Sequence, residues 1–192
     1  MTEIHYDTEF LEDGATIALI SIGMVREDGA ELYLINERAP LARLITHSWL
    51  MEHVVPSLPI ARDQSGNLSW NMLHPDAGAI THPNAIAHKV AEFITGVQQP
   101  QLWADYCAYD HVALCQIWGP MVKLPEGVPM WTHDLRQEVE RLGSPQVPEL
   151  PGKTEHNALW DAREVKYRRE WLRDYAVQKE AARLAVPGAS LA

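Results

Sequence analysis

The chain has 192 residues, 46% of them hydrophobic, enough for one packed core and too apolar for a disordered chain. Its 16 Lys and Arg stand against 26 Asp and Glu, a formal net charge of −10, opposite in sign to a protein that coats nucleic acid by bulk electrostatics. That balance still admits an enzyme whose carboxylates hold cations against a phosphate substrate. Two cysteines, Cys107 and Cys115, are too few for a disulfide framework and match no zinc spacing, so buried reduced thiols and a cytoplasmic setting are expected. No apolar run reaches the ~18 residues of a membrane span, and the first residues lack a signal-peptide pattern.

Ile4 and Tyr6 alternate with His5 and Asp7, the period-2 pattern of a strand. Glu12-Asp13-Gly14 marks a turn, residues 17–25 read as a strand covered on both faces, and Glu27-Asp28-Gly29 turns into a third strand at 32–35. Leu41, Leu44, Ile45 and Trp49 share one helical face and predict a single helix, ended by the Pro56–Pro59 region. Residues 61–82 show no periodicity and predict a long surface loop. Pro83 opens and Gly96 closes a predicted helix with Ile86, Val90 and Phe93 inward. A short strand at 101–104, a helix at 108–118, a last strand at 130–132 and a helix bearing Leu135, Val139 and Leu142 follow. Pro145, Pro148 and Pro151 make a stiff connector to one long helix at about 154–184, capped by Thr154, with Ala158, Ala162, Val165 and Leu172 inward. A meander followed by alternating strands and helices predicts a single α/β domain over 1–192, a mixed sheet flanked by helices.

Three features could carry chemistry. Asp7 and Glu9 sit at i and i+2 on the first strand, so both carboxylates point to one face, where like charges repel unless a cation lies between them. Alone, the pair reads first as two solvated acids at a strand end, since D-x-E occurs often by chance. His156 precedes Asp161 at the start of the last helix, pairing a mobile imidazole with a rigidly held acid, which suits a general base and a metal ligand; alone, it reads first as a histidine near a helix N-terminus making one ordinary hydrogen bond. Asp110 opens an otherwise apolar helix, where the helix dipole explains it without function; Asp105, at the end of the preceding strand, competes for its role.

Together, D-x-E on strand one, an Asp on a middle helix and H-x4-D on a late helix resemble the DEDDh 3′–5′ exonucleases, in the same order and on the same kinds of element. Tyr6-Asp7-Thr8-Glu9-Phe10-Leu11-Glu12-Asp13-Gly14 and Ala108-Tyr109-Asp110-His111-Val112-Ala113-Leu114-Cys115 are similar to a small mycobacterial-type group of exoribonucleases. The resemblance runs to about residue 175. It implies a ribonuclease H-like fold with a mixed five-stranded sheet, and catalytic residues Asp7, Glu9, Asp110, His156 and Asp161. It also implies two Mg²⁺ ions, with Mn²⁺ as a substitute, because hard carboxylate oxygens suit them better than zinc. Asp7 would bridge the ions, with Glu9 and Asp161 on the nucleophile side, Asp110 on the leaving-group side and His156 as general base, releasing nucleoside 5′-monophosphates. The implied partners are RNA 3′ ends, single-stranded or overhanging, and a second copy of the chain in a homodimer.

In these relatives the regions matching Phe10-Leu11-Glu12 and Asp105-Tyr106 touch the terminal nucleotide, so the resemblance implies contacts of that nucleotide with Thr8, Phe10, Leu11 and Tyr106. This chain departs from the family pattern at both regions, which bears on sugar and base preference. Two further readings remain open: a DNA-directed 3′–5′ exonuclease, and a non-catalytic nucleic-acid-binding or assembly module on the same fold. His133-Asp134 reads as a strand end entering a helix, and His47, His53, His74, His82 and His88 as surface histidines. Trp49, Trp103 and Trp118 read as core. From Arg163 to Arg183 the last helix carries seven basic residues against four acids, either a solvated amphipathic face with i,i+4 ion pairs or, through Arg168 and Arg169, a guide for the upstream strand.

Overall fold

The computed structural model describes residues 1–152 and 156–185. Strands β1 (Thr2–Glu12), β2 (Ile17–Arg26) and β3 (Glu31–Asn36) form the expected antiparallel meander. The single helix predicted next is two, α1 (Leu41–Leu44) and α2 (Ser48–His53): the chain breaks between them, and the His47 ring accepts the Leu50 N–H to start the second. Trp49 is left 47% exposed, not in the core.

The stretch predicted as a long loop holds a hairpin, β4 (Ile60–Arg62) with β5 (Leu68–Trp70), and a two-residue strand, β6 (Ile80–Thr81). β6 pairs in parallel with β3, so the main sheet has six strands instead of five; a two-residue strand offers no periodicity to read. Helix α3 (Pro83–Thr95), strand β7 (Pro100–Ala104) and helix α4 (Ala108–Gln116) lie where expected. Strand β8 is His133–Asp134, not 130–132, because only those two residues align with Trp103 and Ala104 of β7, while Met130 and Trp131 stay exposed. Asp134 then caps α5 (Leu135–Arg141) by accepting the Arg136 N–H at 2.7 Å, the strand-to-helix junction expected of that pair.

The last element, α6 (Ala158–Ala185), begins later than predicted. Its cap is Asn157, whose Oδ1 accepts the N–H groups of Leu159 and Trp160; Thr154 lies outside the described residues. The sheet order is β6-β3-β2-β1-β7-β8, with β1 antiparallel to β2 and parallel to β7.

Each face of β1 is covered. Ile4 and Tyr6 pack with Ile22 and Met24 under Ile86, Val90 and Ile94 of α3 and Leu114 of α4. Alternation sends Glu3, His5, Asp7 and Glu9 to the other face, which α6 covers; Ala158, Ala162 and Val165 of that helix are buried, and Leu172 is buried against Leu135 of α5 and Leu142 just past its end. A second core under α1 and α2 joins Leu11, Ile20 and Ile35 to Leu44, Leu50 and Val54. Each fully buried aliphatic side chain contributes roughly 1.5–3 kcal/mol.

The positive run on α6 is largely neutralised. Arg169 bonds Glu3 and Glu138 and lies 4.0 Å over the Trp103 ring, Arg163 pairs with Glu31, Lys166 with Glu170, Arg173 with Glu3, Arg183 with Glu180, and Lys179 donates to the Leu142 carbonyl. Most of these partners are far away in sequence, so they pin the helix to the sheet. Both thiols are free but half-buried, less enclosed than expected. Burial, followed by the Asp134 carboxylate, pushes the Cys107 thiol up to about 12, as suits an unreactive reduced cysteine.

Candidate active site

The site is assembled where α6 lands on the middle of the sheet. Asp7 pairs across the strands with Gly23 of β2, and Gly23 with Tyr33 of β3. A Cβ at Gly23 would lie 2.2 Å from the Ala158 carbonyl oxygen, so glycine alone lets the first turn of α6 descend onto this row. The Asn157 amide donates to the Tyr33 hydroxyl at 3.2 Å, tying the cap to the same row. The Asn157 backbone N–H donates to Asp161 at 3.1 Å, and the carboxylate is thereby aimed at β1. A bulge opposite Glu9 and Phe10, with Ile20 the extra residue of β2, bends the strand pair where the site begins.

One oxygen from each of Asp7, Glu9 and Asp161 lies within 4.8 Å of the others. Asp110 approaches from α4. β7 stops pairing with β1 at His5, so the Thr8 N–H has no strand partner, and Asp110 Oδ1 accepts it at 3.0 Å together with the Thr8 hydroxyl at 2.6 Å. Burial and then the charges of Asp110, Glu9 and Asp161 hold the Asp7 carboxyl well above the usual carboxylate range. Burial and then Asp161 and Asp110 push Glu9 up to about 8. Asp110 is raised by burial to about 6, the Thr8 bonds offsetting part of the rise. Crowded acids that cannot all ionise together form a donor set of hard oxygens that fits divalent cations such as Mg²⁺ or Mn²⁺.

His156 stands beside them in a cleft of about 480 Å³. Its backbone is left-handed, with φ 57°, uncommon for a residue with a side chain and confined to sites the surroundings over-determine. Here the constraint is the Ser57 hydroxyl, which donates to the His156 carbonyl at 2.6 Å. The imidazole meets Trp49 edge-on at 4.8 Å and His53 at 5.3 Å.

All five predicted catalytic residues line this one cleft, with Thr8, Phe10 and Tyr106. Thr8 is buried and engaged with Asp110. Phe10 stacks on Tyr109 at 5.9 Å, and Tyr106 is exposed at the cleft with φ 54°. Leu11 does not reach the cleft: it is 4% exposed in the second core, because the strand has by then passed beneath α1 and α2. Asp105 is held by Arg136 and Arg168, so it does not displace Asp110 beside Thr8. Sequence reasoning missed Trp49, Glu149, Glu164 and Arg136 as lining residues. No local signal marks them, since each reaches the cleft through tertiary placement.

No family model matches the chain. Two curated proteins do, the 3′–5′ exoribonuclease Rv2179c of Mycobacterium tuberculosis H37Rv and the 3′–5′ exoribonuclease MT2234.1 of strain CDC 1551 / Oshkosh. Each is 44% identical over 161 residues, which is 83% of this chain and 86% of the relative. Among solved structures, Escherichia coli exonuclease I bound to dA13 and dA16 oligonucleotides superposes with a TM-score of 0.51 at 13% and 12% identity. The match covers 92% of this chain but 43% of that one, a likeness of fold. The architecture is therefore the ribonuclease H-like fold, and the molecule is a 3′–5′ exonuclease. Within that class, the chain belongs to the family of the mycobacterial 3′–5′ exoribonucleases.

Proposed function

We propose that this chain removes nucleoside 5′-monophosphates from the 3′ ends of RNA, single-stranded or overhanging, by metal-assisted hydrolysis with His156 as general base. The observation that carries the reading is the convergence of Asp7, Glu9 and Asp161 within 4.8 Å on the cleft that also holds His156. Two divalent ions, Mg²⁺ by the hardness of the donors, would be held by Asp7, Glu9, Asp161 and Asp110 and would supply charge stabilisation to both the attacking and the leaving oxygen. His156 takes a proton from the water that attacks phosphorus, and the surrounding carboxylates stabilise the imidazolium that results. The P–O3′ bond breaks, the 3′ oxygen is protonated from solvent, and the mononucleotide leaves. Thr8 keeps Asp110 aimed into the cleft, and Ser57 keeps His156 in its turn. Phe10, backed by Tyr109, and Tyr106 offer aromatic surface to the terminal nucleoside.

RNA as substrate is supported by the names of the 44%-identical relatives. The oligonucleotides bound to exonuclease I are the observation behind the DNA-directed reading. The same experiment tests both. RNA and DNA oligomers labelled at the 5′ end, with Mg²⁺ or EDTA, are resolved on a sizing gel. A Mg²⁺-dependent ladder shortening from the 3′ end of RNA is expected; preference for DNA, cleavage within the chain or activity in EDTA would overturn the reading. A cytoplasmic location is in keeping with two free thiols, and a homodimer with the exposed Met121 and Met130, which line one apolar surface depression with Val112; sedimentation velocity tests the latter.

A further inference from the structure

The same cleft is lined by two guanidinium groups, Arg136 from α5 and Arg168 from α6. Asp105, just past the end of β7, holds both. Its carboxylate takes Arg136 through Nε at 2.6 Å and Nη2 at 2.8 Å, and Arg168 through Nη1 at 3.2 Å. Glu164, one turn back on α6, meets Arg168 Nε at 3.2 Å, and the Tyr106 ring lies 4.6 Å from the Arg136 guanidinium. Only Arg136 Nη2 and Arg168 Nη1 make hydrogen bonds to Asp105; among the described residues both Nε atoms are buried without a hydrogen-bond partner and meet their carboxylates as ion pairs alone. Two forks fixed by one carboxylate are pre-organised, so little side-chain entropy is lost when they engage an anion.

An ion-pair network that only joined β7, α5 and α6 would stabilise the fold weakly, and apolar side chains would fill a cleft wall as well. The substrate supplies a better reason. The 3′-terminal nucleotide carries one phosphate, the scissile one, and that group belongs among the acids and their cations. Any second phosphate reaching this cleft must come from the 5′ side. We propose that Arg136 and Arg168 form a subsite for the phosphodiester immediately 5′ of the scissile one, so that the enzyme distinguishes its substrates by that upstream charge. The proposal rests on the exonuclease reading above and adds to it the part of the substrate that is recognised.

The test uses two trinucleotides with the same bases and the same scissile phosphodiester. In one the 5′ linkage is also a phosphodiester; in the other it is an uncharged methylphosphonate. With Mg²⁺ and the whole chain, KM is expected to be about tenfold higher for the neutral linkage, with kcat little changed, the lower end for bonds between charged partners. Arg136→Gln and Arg168→Gln should each remove most of that discrimination. Equal KM values for the two substrates with the unmodified protein, or variants that keep the tenfold ratio, would overturn the subsite. A purely structural network would lower the melting temperature and slow both substrates alike, leaving the ratio in place, which also overturns it. If Arg168→Gln does not fold, Arg136→Gln carries the test, because that side chain is 40% exposed. Failure of the unmodified protein to cleave either trinucleotide would instead refute the exonuclease reading itself.

Discussion

Adding one methyl group at Gly23 should disable the site without touching a catalytic residue. An ideal Cβ there would stand 2.2 Å from the Ala158 oxygen and 2.3 Å from the Leu159 nitrogen, where ordinary contact begins near 3.4 Å. Both obstacles are backbone, so no side chain can swing aside, and the first turn of α6 must lift by about 1 Å. Overpacking of this kind costs about 1–3 kcal/mol, which for a chain of this size lowers the melting temperature by roughly 2–12 °C. The lifted turn carries Asp161 and follows His156 directly, and a misplacement of about 1 Å in a catalytic constellation reduces turnover by about 10²-fold. Gly23→Ala should therefore lose far more in kcat than in stability. Gly78→Ala, at a glycine with open space around it, serves as the control and should change neither. The assay pairs thermal melts with Mg²⁺-dependent release of mononucleotide from a short RNA. A Gly23→Ala protein with normal melting and normal turnover would refute the claim that this close approach places α6.

Asp161→Asn should abolish measurable hydrolysis yet raise the metal-free melting temperature by a few degrees, since it removes one charge from the repelling cluster around Asp7 and Glu9; a melting temperature that falls would contradict the crowding argument. Metal-free stability should decline as pH rises from about 5 to about 8. In the folded protein Glu9 keeps its proton to about 8 against an ordinary 4.5, and Asp110 to about 6 against 3.8, so the native state binds more protons across that window and stability is lost as they leave. Millimolar Mg²⁺ should flatten the slope, as melts across this pH range would record. His156→Ala should lower kcat by about 10²–10⁴-fold with KM little changed, the pattern for loss of a general base; a kcat within a few-fold of normal would assign that proton transfer elsewhere.

The sequence by itself determined whatever depends on neighbours along the chain. Alternation on β1 puts Asp7 and Glu9 side by side, and the spacing of Asp161 from His156 reads as an acid inside a helix with an imidazole just before it. The Pro83 and Gly96 signals bound α3 correctly, because a missing N–H and a helix-ending glycine act locally. The tertiary structure decided which of these local pieces meet. Leu11 shares a face with Asp7 yet belongs to a different core, Trp49 left the predicted helix face because the chain breaks before α2, and Thr8 became the support for Asp110 because β7 stops pairing early. β6 joined the sheet through two residues too few to show a period. Gly23 states the division most sharply: in sequence it is an unremarked glycine in an apolar strand, and its necessity comes from the carbonyl of a residue 135 positions later. Periodicity and capping are written within a few residues, whereas close approach and charge pairing are set by chain segments that only folding brings together.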